Sequence, residues 1–303
     1  MSEDSKAALR SDIAENDWVA RYAPSRARPY CRLARLDRPI GTALLLWPCF
    51  WGIALAADAW PDLRLLALFA VGALVMRAAG CVINDIADRD LDARVARTAG
   101  RPLASGELSP LKAWLFLAVL LAGGLIILLQ LNRTTIILGL AALPLVGVYP
   151  FMKRITWWPQ AWLGLTFNWG ALMGWSAVTG SLAWPAAALY GAGIVWTLGY
   201  DTIYAHQDKQ DDALIGVKSS ARRLGAATRP WLFAFYGASL ALLALAGLLA
   251  GLAWPFYMVL CAAGGQLAWQ AAKVDIDNPA DCLAKFKSNS LFGALIFAAM
   301  VAG

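Results

Sequence analysis

Two stretches of this chain carry carboxylates at helical spacing. In the first, Asn84, Asp88 and Asp92 fall at i, i+4 and i+8. On a helix they stack along one face over roughly 12 Å. The ladder offers oxygen donors and nothing soft, which suits a hard divalent cation. Mg²⁺ is the leading candidate, because it commonly bridges carboxylates to phosphates. Three unpaired carboxylates at membrane depth would cost roughly 8–10 kcal/mol, so the ladder belongs at a helix end facing a wet cavity. In the second stretch, Asp201 closes an apolar run and is followed by Tyr204, His206, Asp208, Asp211 and Asp212. Asp208, Asp211 and Asp212 are spaced i, i+3 and i+4, again one helical face. The expectation is two acidic helix ends facing one another across a single cavity.

Basic residues follow each ladder. Arg97 and Arg101, Lys153 and Arg154, and Lys218 and Arg222 are candidate contacts for the outer oxygens of a diphosphate. No G-x-x-x-x-G-K-[ST] loop occurs, which argues against a nucleotide in a Walker site. Arg77 is a cation inside an apolar run, placed to pair with an acid or to contact a substrate carboxylate. Arg38, before Pro39, is a similar case. His206 is the single histidine, so a His-rich metal or haem site is excluded; it reads as a base or, more simply, a polar wall.

The elements that must position these groups are transmembrane. The 303 residues are 60% hydrophobic and 15% charged, with mean hydropathy +0.56, against about 25% charged in a soluble domain. That composition predicts an all-α membrane protein. Nine spans are expected, at about 40–57, 65–83, 111–131, 134–149, 159–178, 184–203, 231–250, 253–272 and 290–302, in one bundle around a central cavity. Residues 1–38 are expected to form a basic, partly amphipathic segment in which Trp18, Tyr22, Tyr30, Leu33 and Leu36 belong to an amphipathic helix lying in the interface; residues 39–303 are expected to form a single transmembrane domain. No cleaved secretory signal is evident. The basic head resembles a transit peptide weakly, and Glu3, Asp4, Asp12, Glu15 and Asp17 argue against one.

Of the 26 Lys and Arg, only Arg64, Arg77 and Arg133 lie outside the N-terminal segment and the even-numbered loops with their flanking span ends. The positive-inside rule then puts both ladders on the cytoplasmic side, in what would be a bacterial inner membrane. The net charge of +6 suits a membrane surface and a polyanionic substrate rather than nucleic acid. The five cysteines are scattered and contain no CxxC, so no disulfide framework or zinc site is implied.

The run from Arg77 to Asp92 resembles the first signature of the UbiA-type intramembrane prenyltransferases, N-D-x-x-D-x-x-x-D, and Arg97 to Gly106 continues it. Asp201 to Asp212, with Gly216, Lys218 and Ser219, is similar to the second signature. Arg35-Leu36-Asp37-Arg38-Pro39-Ile40-Gly41 and Tyr149 to Arg154 also look like the family. The Tyr-Ala-His-Gln-Asp form and the Arg-Pro-Ile-Gly entry resemble the branch that acts on 4-hydroxybenzoate in ubiquinone synthesis. The resemblance implies Mg²⁺ held by Asn84, Asp88, Asp92, Asp208 and Asp212, with Asp211 assisting, and a polyprenyl diphosphate bound through it. Asp88, Asp92, Asp208, Asp212 and Arg154 would be catalytic; Arg38, Arg77, Arg97, Arg101, Lys153, Lys218 and Tyr204 would bind substrate. The lipid bilayer becomes a partner because the prenyl tail needs an apolar tunnel. Within the family the acceptor alternatives are a naphthoate, homogentisate, a chlorophyllide or haem. A CDP-alcohol phosphotransferase is disfavoured because D-G-x-x-A-R is absent. A divalent-cation transporter is disfavoured because basic residues surround the acids.

Overall fold

The computed structural model describes residues 17–95, 98–214 and 216–303, the side chain of Asp211 excepted. Every regular element among them is helical. They form two compact units by contact, residues 1–42 with 72–127, and residues 43–71 with 128–303.

The first unit begins with two short helices, α1 (Trp18–Tyr22) and α2 (Arg28–Leu33). The expected single amphipathic helix is therefore broken. Pro24 lies in the gap, and Arg35 beyond α2 adopts a left-handed φ of 57°. Helix α3 (Ile40–Leu55) starts here and passes into the second unit. Helix α4 (Leu63–Asp92) is a continuous 30-residue helix whose C-terminal part carries the first ladder. At 1.5 Å per residue it is about 45 Å long, more than the roughly 30 Å hydrocarbon layer. Its last turns therefore project beyond the apolar span, as charged ends must. The loop after it returns through α5 (Pro110–Leu128). Leu33, Ala79, Val82, Leu103, Leu108, Ala113 and Leu117 make one buried cluster, and Tyr30 meets Phe116 edge-on at 5.3 Å. The apolar side of α2 thus docks on the charged end of α4.

The second unit continues with α6 (Arg133–Ile155), α7 (Pro159–Phe167), α8 (Trp169–Thr179), α9 (Trp184–Ala205), α10 (Lys209–Leu214), α11 (Ser220–Leu224), α12 (Thr228–Ala250), α13 (Trp254–Lys273) and α14 (Pro279–Ala302). Helix α9 is the axis of the unit, packed against α7, α12 and α14. Its core is aromatic: Trp196 lies 5.1 Å from Trp51 and 5.3 Å from Phe292, ring to ring. Several polar groups inside pair with one another. Trp196 Nε1 donates to Asn289 Oδ1 at 2.9 Å, and Tyr236 Oη to Gln270 Oε1 at 2.8 Å, as buried polar atoms in an apolar bundle require.

Several expected boundaries shift. The fifth span is two helices, because the Asn168 amide donates to Gly164 O at 2.9 Å and to Thr197 Oγ1 at 2.8 Å. A side chain that competes for helix carbonyls bends the helix. Helix α8 then lies close against α3. A Cβ on Gly52 would collide with the backbone of Ala171, and one on Gly174 with the backbone of Cys49, so the two backbones touch through glycine. Helix α6 runs through Pro150 to Ile155, so Lys153 and Arg154, beyond the expected span 134–149, are helical. The polar stretch before the last span is also helical: Asn278 caps Ala280 and Asp281, Pro279 occupies the first turn, and Lys285 pairs with Asp281 at 2.8 Å.

Among the described residues, four helical segments are long and apolar enough to cross a membrane: Leu63–Asp92, Pro110–Leu128, Arg133–Ile155 and Ser220–Ala250. Ile40–Leu55 is a shorter apolar helix. Trp60, Trp184 and Trp254 are strongly exposed and stand beside or at helix starts, where an amphipathic ring suits a membrane interface.

Candidate active site

The first ladder forms as its spacing predicts. Asn84, Asp88 and Asp92 lie on the last three turns of α4. Asp88 is 1% exposed and Asp92 8%. Arg77 stands two turns deeper on the same face, since seven residues nearly complete two helical turns. Its guanidinium lies over the start of α3, where a Cβ on Gly41 would be 2.6 Å from Arg77 Nε. Gly41 therefore leaves the slot that the Arg77 head occupies.

Asp85, one residue along from Asn84, lies about 100° off the ladder face and has its own cations. Arg35 Nη2 donates to both Asp85 oxygens, at 2.7 and 3.0 Å. Arg101 Nη1 lies 3.3 Å from Asp85 Oδ1 and 2.8 Å from Asp92 Oδ2. The loop that delivers Arg101 is fixed at several points. Thr98 Oγ1 donates to Asp92 O at 2.9 Å, Arg101 N donates to Thr98 O at 2.9 Å, and Leu103 is buried in the core cluster. Arg38 pairs with its neighbour Asp37 at 2.8 Å. Arg97 lies outside the described residues. Sequence reasoning gave Arg35 and Asp85 no role. The signal was Asp85 itself, an acid beside the ladder but off its face, which needs a separate counter-ion.

The second ladder departs from a single helix. Helix α9 ends at Ala205, a 3₁₀ turn covers His206–Asp208, and α10 carries Asp212. Asp208 is thus the last residue of the tighter turn, directly before α10. Asp201 is on the last turn but one of α9. The Asp211 side chain lies outside the described residues. The Tyr204 ring lies tilted against Phe286, centroids 4.5 Å apart.

His206 is buried and neutral. Burial first, then the nearby Lys209 charge, push it down to about 4, with Asp277 opposing. Thr228 Oγ1 donates to Gly225 O at 2.8 Å, so at 2.9 Å from His206 Nε2 it must accept. The imidazole is therefore the Nε2–H tautomer. Nδ1 finds no hydrogen-bond partner among the described residues.

The basic side of this unit comes together from two distant segments. Lys218 N donates to Lys153 O at 2.9 Å, and Lys218 Nζ to Ile155 O at 3.0 Å. The chain after the second ladder is thereby stitched to the C-terminus of α6, which carries Lys153 and Arg154. Lys218 also places positive charge at the negative end of that helix. Arg222 donates to the Asp212 and Val217 carbonyls and lies 5.4 Å over the Trp157 ring, so it braces the loop rather than reaching outward.

Among the described residues, no cluster of three or more His, Cys, Asp or Glu is poised to enclose a metal ion. Mg²⁺ does not need one. It keeps several waters and commonly binds through one or two carboxylates plus substrate phosphates. Buried, hard oxygens at Asp88 and Asp92, with a cation already drawn to Asp92, fit that mode.

Residues 45–296 match the UbiA prenyltransferase family. The chain is 54% identical over 295 residues to a mitochondrial 4-hydroxybenzoate polyprenyltransferase of Arabidopsis thaliana, covering 96% of this chain and 72% of that one. It is 53% identical over 289 residues to the Bos taurus enzyme of that name, covering 94% and 78%. Among solved structures, a UbiA homolog from Aeropyrum pernix K1 superposes with TM-score 0.73 at 25% identity, over 86% of this chain and 96% of that one. One from Archaeoglobus fulgidus, bound to GPP and Mg²⁺, superposes with TM-score 0.65 at 21% identity, over 90% and 99%. These relatives correct one expectation. The assignment to a bacterial inner membrane gives way, because relatives 52–54% identical to this chain are mitochondrial enzymes of eukaryotes. An apolar helical chain with this first ladder, matched over most of its length, belongs to the UbiA prenyltransferase family.

Proposed function

We propose that this chain is a Mg²⁺-dependent 4-hydroxybenzoate polyprenyltransferase of a mitochondrial membrane. It transfers a polyprenyl group from its diphosphate to the ring carbon ortho to the hydroxyl, the reaction that feeds ubiquinone synthesis. The observation that carries this is the 52–54% identity, over most of the chain, to enzymes of that name. Nine spans in one bundle, with both acidic ends opening on one chamber, is the arrangement that the even-numbered polar loops support.

Asn84, Asp88 and Asp92 from the first ladder, and Asp208, Asp211 and Asp212 from the second, would hold Mg²⁺. When bound, the metal supplies Lewis-acid stabilisation of the departing diphosphate. Arg101, Lys153, Arg154 and Lys218 hold the outer diphosphate oxygens, with Arg97, four residues before Arg101, and Arg38 adding charge. Arg154 faces the charge that builds on the leaving group. Arg77, two turns into the membrane from Asn84, holds the acceptor carboxylate. Tyr204 lines the acceptor site. As the carbon–oxygen bond to diphosphate breaks, the allylic carbon becomes cationic and the phenol ring attacks it. A ladder carboxylate or the released diphosphate then takes the ring proton.

The test is direct. Purified chain in lipid or detergent is incubated with Mg²⁺, a polyprenyl diphosphate and a panel of aromatic acceptors. A 3-polyprenyl product from 4-hydroxybenzoate is the expected result. Inert 4-hydroxybenzoate beside a reactive naphthoate or homogentisate would move the chain to another branch of the family.

A further inference from the structure

The Arg101 head lies between Asp85 and Asp92, the second of which is a candidate metal ligand. Its Nη1 is 2.8 Å from Asp92 Oδ2 and 3.3 Å from Asp85 Oδ1, one positive nitrogen shared between two carboxylates. Arg35 already serves Asp85 through both oxygens, so Asp85 keeps a counter-ion if Arg101 leaves. The Arg101 backbone is fixed, through its bond to Thr98 O and the buried anchor at Leu103. Only the side chain is left to move.

Resting on the metal reading above, we infer that Arg101 is a placeholder cation. It neutralises Asp92 while the site is unloaded and transfers to the diphosphate when metal and diphosphate arrive together. The physical argument is charge balance. A guanidinium and a divalent cation on one carboxylate repel each other in a poorly solvated site. A metal alone must therefore break the Arg101–Asp92 ion pair, a partly buried pair that is costly to lose. Diphosphate removes that cost by offering Arg101 a new, doubly hydrogen-bonded anion. Metal and diphosphate thus bind cooperatively, and the coupling passes through this one side chain. Two consequences follow. The buried Asp92 carboxylate is never left without a positive neighbour, and the site resists filling with metal alone. Arg101 is a positioning residue in this role, distinct from its contact with substrate.

The experiment uses the full chain in detergent, Mn²⁺ as the probe, and the free-Mn²⁺ paramagnetic resonance signal as the readout, with and without inorganic pyrophosphate. For the unsubstituted chain, pyrophosphate should tighten Mn²⁺ binding by about tenfold, the usual scale for linked sites. Arg101→Gln should bind Mn²⁺ alone about tenfold more tightly than the unsubstituted chain and lose most of the pyrophosphate effect. Arg101→Lys keeps the charge with a weaker grip on Asp92 and should fall between the two. It carries the test if the glutamine variant does not fold. Equal or weaker Mn²⁺ binding by these variants, with the pyrophosphate effect intact in the unsubstituted chain, overturns the placeholder and leaves the metal reading standing. No Mn²⁺ binding by the unsubstituted chain, even with pyrophosphate, overturns both.

Discussion

Arg35 and Asp85, fifty residues apart, form a buried ion pair in which one guanidinium nitrogen donates to both carboxylate oxygens, at 2.7 and 3.0 Å. The pair ties the segment after α2 to the charged end of α4. Arg35 reaches it from φ 57°, a conformation that costs a non-glycine residue about 1–2 kcal/mol.

Removing one partner strands the other in a site with little water. Arg35→Met should destabilise the chain by about 3 kcal/mol, the low end for a broken buried pair, because Arg101 still touches Asp85. The companion double variant, Arg35→Met with Asp85→Leu, should recover part of the loss. Thermal melts in detergent, read as a double-mutant cycle, measure both. Equal melting temperatures for the parent and Arg35→Met would show the pair to be energetically silent.

Gly41 should control how the acceptor is held. An alanine Cβ there would press on the Arg77 head, 2.6 Å away, and the flexible side chain can yield without unfolding the helix. Gly41→Ala should therefore raise KM for 4-hydroxybenzoate by about tenfold, the value of one charge-assisted hydrogen bond. KM for the prenyl diphosphate should stay near its original value. A rise in both constants together would remove Arg77 from a specific role toward the acceptor.

Asp88→Asn keeps size and shape but removes the charge of a carboxylate that is 1% exposed. Product formation should fall by about 10²–10³-fold, the scale for losing one electrostatic stabiliser of the transition state. Chelation of the parent chain with EDTA should reproduce the loss, and added Mg²⁺ should restore the parent but not the variant. Radiolabelled prenyl transfer reports all three.

Lys218 offers a contrast between stability and binding. Its ammonium meets Ile155 O at 3.0 Å in an exposed position, so Lys218→Gln should cost less than about 1 kcal/mol of stability. Loss of a charge beside Lys153 and Arg154 should nonetheless raise KM for the prenyl diphosphate severalfold. Steady-state kinetics beside a melt separates the two effects.

The chain's own order shows which features can be read without coordinates. The helix Leu63–Asp92 was legible because its apolar run leads directly into acids at i, i+4 and i+8; local periodicity alone decides both. The break at Asn168 was not, because it depends on Thr197, 29 residues away, accepting the amide. The spacing of the second ladder fits an α-helix and carries no sign that α9 stops at Ala205 and that Asp208 ends a tighter turn. The early start of α14 had a visible signal in Asn278-Pro279 and Asp281, a helix cap and first turn. It was obscured by the polarity of the stretch. The Arg35–Asp85 pair spans fifty residues, and no sequence period encodes a partner at that range.

The glycine-lined meeting of α3 and α8 bears on where an isoprenoid can travel. Backbone lies against backbone at Gly52 and Gly174, which leaves no slit wide enough for a branched hydrocarbon. Any tail longer than a few isoprene units must leave by another helix boundary. Widening this seam would give the protein a second exit rather than lengthen the first.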